Sequence, residues 1–196
     1  MKNAIVLASI LVVVMSVSLL AKPIQETTWE EASNLLSKGA TVREYFQAVD
    51  PEMLSRIPAK FHGEPIKPAS QTAGAFRTMG KPEKERVDEI IVSCTGRTTA
   101  KSGSRCYFGV SSTVIIPLFF RLPYMSIIGQ LFGPGGMWGS FTSSGTNKWR
   151  VTKNSTISVQ GSSNYATTGI HFMEYPPGFF PPTEVVYSQT AWVYVP

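Results

Sequence analysis

Between Val87 and Ser112 the apolar side chains fall on every second residue, on both sides of a polar centre: Ile90, Val92 and Cys94, then Cys106, Phe108 and Val110. Period-two alternation is the mark of a strand with one buried face. A hairpin that sets Cys94 opposite Cys106, Val92 opposite Phe108 and Ile90 opposite Val110 gathers all six on one side. The other side then carries Glu89, Ile91, Ser93, Thr95, Arg105, Tyr107 and Ser111, and is largely polar. In this register the polar stretch Arg97–Gly103 is the apex. The two cysteines of the chain would face each other as a disulfide, closing a short loop and contributing roughly 2–3 kcal/mol.

The C-terminal third alternates in the same way. Lys148–Thr152, Thr156–Gln160, Tyr165–Met173 and Val185–Val195 read as strands, with Gly161-Ser162-Ser163 as a turn between the second and third. The expected fold is therefore mainly β, an antiparallel sandwich- or barrel-like domain over 87–196. Residues 114–138 are apolar and aromatic but are interrupted by Pro117, Pro123, Gly129 and Pro134, which excludes one continuous spanning helix. Two readings of this stretch are open: core strands, or a protruding loop that inserts into lipid.

Ahead of the β-rich part, Met1-Lys2-Asn3 and the apolar run Ala4–Ala21 read as a secretory signal peptide, residues 1–21, with cleavage after Ser18 or Ala21. Left uncut, residues 4–21 would serve as a membrane anchor. Residues 22–57 read as a short helical region. Two overlapping S/T-x-x-E boxes, in Thr27-Thr28-Trp29-Glu30-Glu31, start a helix that Gly39 ends. Thr41 and Glu44 start another, and Asp50-Pro51 restarts the turn. Residues 58–86, rich in Pro and Gly and ending in the charge run Lys81–Arg86, read as a linker.

Charge divides the chain. Lys22–Glu89 holds 10 Lys/Arg and 11 Asp/Glu, a net of −1, whereas Ile90–Pro196 holds 7 and 2, a net of +5. No acidic residue falls between Glu89 and Glu174. A basic exported domain meets anionic polysaccharide, wall polymer or a membrane surface before it meets nucleic acid, for which no module or Lys/Arg cluster is present. The sequence specifies no oligomeric state.

Catalytic patterns are missing. The chain has no G-x-S-x-G, H-E-x-x-H or phosphate-binding loop, two histidines (His62 and His171) and no cofactor motif, so neither metal nor cofactor is expected. Glu174 and His171, the pair a hydrolase would draw on, point to opposite faces of a strand. The ligand-binding candidates are Trp149, Arg150 and Lys153, with Tyr175, Phe179 and Phe180 from the stiff loop Tyr175–Pro182. Trp192, Tyr165, Tyr187 and Tyr194 would extend a carbohydrate platform, and Asn154-Ser155-Thr156 is a glycosylation sequon. The leading expectation is an exported, noncatalytic binding or structural module at the cell envelope or outside the cell. The alternative is a membrane-active, toxin-like protein inserting residues 114–138, and a secreted hydrolase comes third.

Overall fold

The computed structural model describes residues 23–69, 75–80 and 89–196, with the backbone alone at 75–80 and 89. The signal or anchor segment 1–21 and the charge run Lys81–Arg86 lie outside these residues.

Two sheets pack face to face, and a helical layer covers one of them. The first sheet runs β1 (Ile66–Pro68), β10 (Thr183–Gln189), β8 (Ser163–Glu174), β5 (Leu122–Gly133) and β6 (Gly136–Lys148), with β11 (Val193–Val195) beside the start of β8. The second runs β7 (Arg150–Ser158), β4 (Arg105–Ile116), β3 (Glu89–Lys101), β2 (Ala75–Gly80) and β9 (Phe179–Phe180). The arrangement is a sandwich and not a closed barrel. Within the stretch that reads as a linker, β1 pairs parallel to β10 and β2 pairs antiparallel to β3.

The helical layer follows from its caps. Helix α1 (Trp29–Ser37) starts where the Thr28 hydroxyl accepts from the Glu31 N–H and the Glu31 carboxylate accepts from the Thr28 N–H at 2.8 Å. Helix α2 (Val42–Val49) repeats the device with Thr41 and Glu44. The Asp50 carboxylate caps the short α3 (Pro51–Leu54) by accepting from the Met53 N–H. Each cap contributes about 1 kcal/mol, so packing must hold these short helices in place. It does so through Ala32, Leu36, Val42, Tyr45, Phe46 and Val49, all buried against the first sheet.

That covering explains the apolar stretch. On β5, Ile128 and Phe132 face the helices while Met125, Ile127 and Leu131 face the second sheet. On β8, Ile170 and Phe172 face the helices and Met173 faces the second sheet. A strand buried on both faces has no polar side to show, so its sequence loses the alternation. About half of 114–138 is therefore fully buried core, and its exposed residues fall at the end of β4, in the β4–β5 turn and at Pro123, and in the β5–β6 turn at Pro134 and Gly135. Among the described residues no helix is long and apolar enough to cross a membrane.

The hairpin differs from expectation. Cys94 pairs with Ser112 and Cys106 with Ala100, so β3 runs on to Lys101 and the turn is Ser102–Ser104, where Gly103 and Ser104 have φ of 71° and 49°. The six-residue shift is even, so each side chain keeps its face, but it parts the cysteines by about 20 Å along the strands. A disulfide needs its Cα atoms within about 7 Å. Cys94 and Cys106 are accordingly free and buried, and burial pushes their thiols up to about 12 and about 11. Both should stay silent to a thiol reagent in the folded protein and react fully in denaturant without reductant; an oxidised chain by intact mass would refute this register.

Candidate functional site

Three of the five strands of the second sheet, β3, β4 and β7, supply its outward cations, and beyond Glu89, which opens β3, they lie within the acid-free stretch. Across β3, β4 and β7 the register sets Arg97 beside Gly109 and Asn154, Thr99 beside Tyr107 and Thr156, and Lys101 beside Arg105 and Ser158. Thr113 lies beside Arg150 at the other end. Arg97, Lys101, Arg105 and Arg150 are all exposed. Inward positions are filled by Val92, Cys94, Cys106, Phe108 and Val110, so the alternation that builds the core also turns these cations to solvent.

Strands lie about 4.8 Å apart and residues advance about 3.3 Å, which places Arg97, Lys101 and Arg105 within about 14 Å of one another. Tyr107 sits among them: the Arg97 guanidinium is 5.8 Å and the Lys101 ammonium 5.9 Å from its ring centroid. Such contacts hold the cations over the sheet without neutralising them. A shallow hollow of about 150 Å³ lies between Arg97, Tyr107, Gly109, Ser111 and Thr152. The ion pairs among the described residues, Lys60–Glu174 and Lys67–Glu184, lie elsewhere, so the four cations have no carboxylate partner there. Glu89, the nearest acidic residue along β3, is eight positions from Arg97.

The structure scatters the residues nominated from sequence. Arg150 is on the cationic face and Asn154 is exposed in its middle. Lys153 points inward from the edge strand β7, donating to the Thr142 carbonyl at 3.0 Å, as a charge that guards a sheet edge does. Trp149 lies between the sheets' ends, its ring edge-on to Phe119 at 5.0 Å. Tyr175 is buried, Phe179 is half-buried and Phe180 is exposed. The aromatic platform does not assemble: Tyr165 is core, while Trp192 packs on Trp29 at 5.0 Å beside a groove of about 470 Å³ at the opposite end from Trp149. Arg97, Lys101 and Arg105 were not among the candidates; the odd-numbered spacing they share with Thr95 and Thr99 is the signal that finds them.

Between the sheets sits a polar cluster. The buried His171 ring contacts the Ser112 hydroxyl through Nδ1 and the Ser188 hydroxyl through Nε2, each at 2.8 Å. Burial lowers its pKa to about 3, so it is neutral, and a base that weak suits a strut between the sheets better than proton transfer. Glu174 points the other way, to Lys60. Glu184 is buried with one carboxylate oxygen unpartnered, and burial raises it to about 7 against the pull of Lys67, with Glu64 adding to the rise. Among the described residues no three His, Cys, Asp or Glu gather as a metal site.

No family model matches the chain, and no curated protein matches it. The solution structure of R. palustris CsgH is similar over 49% of this chain and 89% of its own, at 15% identity with a TM-score of 0.30, a likeness too slight to bear on fold or role.

The buried pair makes stability depend on pH in two opposed ways. Glu184 keeps its proton in the folded chain up to about 7 but loses it near 4.5 when unfolded, so its contribution falls as pH rises between those values. His171 takes a proton at about 6.5 when unfolded but only near 3 when folded, so its contribution falls as pH drops through that range. Glu184→Gln should therefore gain stability relative to wild type as pH rises from about 4.5 to 7 and show a constant difference below that. Denaturant titrations across this range check it, and a pH-independent difference would contradict the buried carboxyl.

Proposed function

We propose that this protein is an exported, noncatalytic binding module whose second sheet recognises anionic polymers, such as acidic polysaccharide or wall polymer, outside the cell or at its envelope. The observation that carries this reading is the alignment of Arg97, Lys101, Arg105 and Arg150 on one exposed face, with no acidic residue at the cross-strand positions beside them. A flat, hydroxyl-lined sheet with fixed cations suits an extended chain of repeated negative charges, which needs spaced charge more than a deep pocket. Thr95, Thr99, Ser111, Thr152 and Thr156 supply hydrogen-bond donors between the charges. Export is supported by the apolar leader at residues 4–21.

Dextran sulfate and neutral dextran separate charge recognition from adsorption. The wild-type chain should bind the sulfated polymer, release it as salt screens the charges, and ignore the neutral one. Replacing Arg97, Lys101 and Arg105 together by serine should weaken binding at least about tenfold, since three exposed ionic contacts together contribute roughly 1.5 kcal/mol. Unchanged affinity in that variant, or equal binding of neutral dextran, would remove the face from the account.

A further inference from the structure

Most of the large apolar side chains exposed among the described residues crowd one end of the sandwich. Ile115 and Ile116 close β4 at 40% and 46% exposure, and the turn that follows carries Leu118 at 68% and Phe119 at 59%. Phe180, at 80%, sits on the far edge of the same end: it pairs with Met79, Met79 with Glu89, and Ile116 with Ile91 two residues further along β3. The end is displayed at a cost. Phe119 has φ of 63°, a left-handed conformation that bulky residues rarely adopt, in a turn closed by the Phe120 N–H donating to the Pro117 carbonyl at 3.0 Å. That conformation sets the Phe119 ring edge-on to Trp149, and Trp149 lies between the exposed Lys148 and Arg150, while exposed Arg121 leaves the turn itself.

We infer that this end docks on an anionic lipid bilayer, with Leu118 and Phe119 entering the headgroup–acyl boundary and Arg121, Lys148 and Arg150 meeting anionic headgroups. A narrow apolar tip collared by cations is complementary to a surface that is negative outside and apolar beneath. A second copy of the chain is the poorer occupant, because a two-fold contact through this tip would set the cationic collar against itself. The tip shares Arg150 with the cationic face but not Arg97, Lys101 or Arg105, so replacing those three tests polymer binding while leaving this docking in place.

The test uses the full chain and vesicles of phosphatidylcholine with or without phosphatidylglycerol, the acyl chains brominated so that they quench nearby tryptophan. Trp149 is the tryptophan beside the tip; Trp29 and Trp192 pack together at the opposite end, and the Trp138 ring donates to the Pro134 carbonyl there. Quenching should appear with phosphatidylglycerol-containing vesicles, largely vanish in Trp149→Phe, and persist when Arg97, Lys101 and Arg105 are replaced by serine. Leu118→Ser with Phe119→Ser should lower vesicle partitioning at least about tenfold, because both side chains are mostly exposed and contribute mainly at the bilayer. Quenching that survives Trp149→Phe would show that another part of the chain, the Ala4–Ala21 run included, leads the binding, and would overturn the inference. So would absence of quenching, or self-association in lipid-free solution that the double serine variant abolishes. The Trp149→Phe comparison keeps Leu118 and Phe119 and an aromatic ring at 149, so it decides the matter even where the double variant folds poorly.

Discussion

The structure depends on β5 and β8 being buried on both faces. Their inward residues meet the second sheet and their outward residues meet the capped helices, so the first sheet is the middle layer of three. A sheet in that position has no free face to offer a ligand. Among the described residues the second sheet is covered on one side only, and what it shows to solvent is fixed by the strands that form it. Because β4, β7 and all of β3 beyond Glu89 come from a stretch without acidic residues, the face around Arg97, Lys101, Arg105 and Arg150 is cationic by construction.

Close packing in the middle layer has visible consequences. A side chain at Gly129 would collide with the Phe141 ring, which lies against the backbone there. At Gly136, φ is 135° and the Gln25 carbonyl occupies the place of a Cβ, which ties the chain entering α1 to the start of β6. Two sets of polar groups in the sandwich interior are fully partnered. His171 spans from Ser112 to Ser188, and Thr98 meets Thr167 and Thr190 at 2.6 and 2.7 Å, so hydroxyls and one neutral ring join the two sheets where apolar contact gives out. Such groups can be buried because each finds a partner.

Much of this is legible in the sequence, and the parts that are not have physical reasons. The helices announce themselves through Thr28–Glu31, Thr41–Glu44 and Asp50-Pro51, since a cap is a local interaction between neighbouring residues. The inward and outward sides of β3 and β4 are equally plain, but their register is not: a shift by an even number of residues leaves the pattern intact, and the facing cysteines favour the wrong choice. Thr98 adds to the error, because a polar side chain at an inward position looks like a loop until its partners on other strands are known. For β5 the alternation is absent because both sides are buried, and β1 and β2 are too short and too close to Pro and Gly to stand out. The cationic face inherits these difficulties. The charge imbalance is open to counting, yet Arg97 and Lys101 join the face only once β3 is known to continue through them.

Backbone chemical-shift mapping with a soluble sulfated oligosaccharide tests the central claim most directly. If the cationic side of the second sheet is the binding surface, the perturbed amides will cluster on β3, β4 and β7, around Arg97, Tyr107, Arg105 and Thr152. Perturbations confined to the helical layer or to the groove beside Trp29 and Trp192, with those strands unchanged, would contradict it.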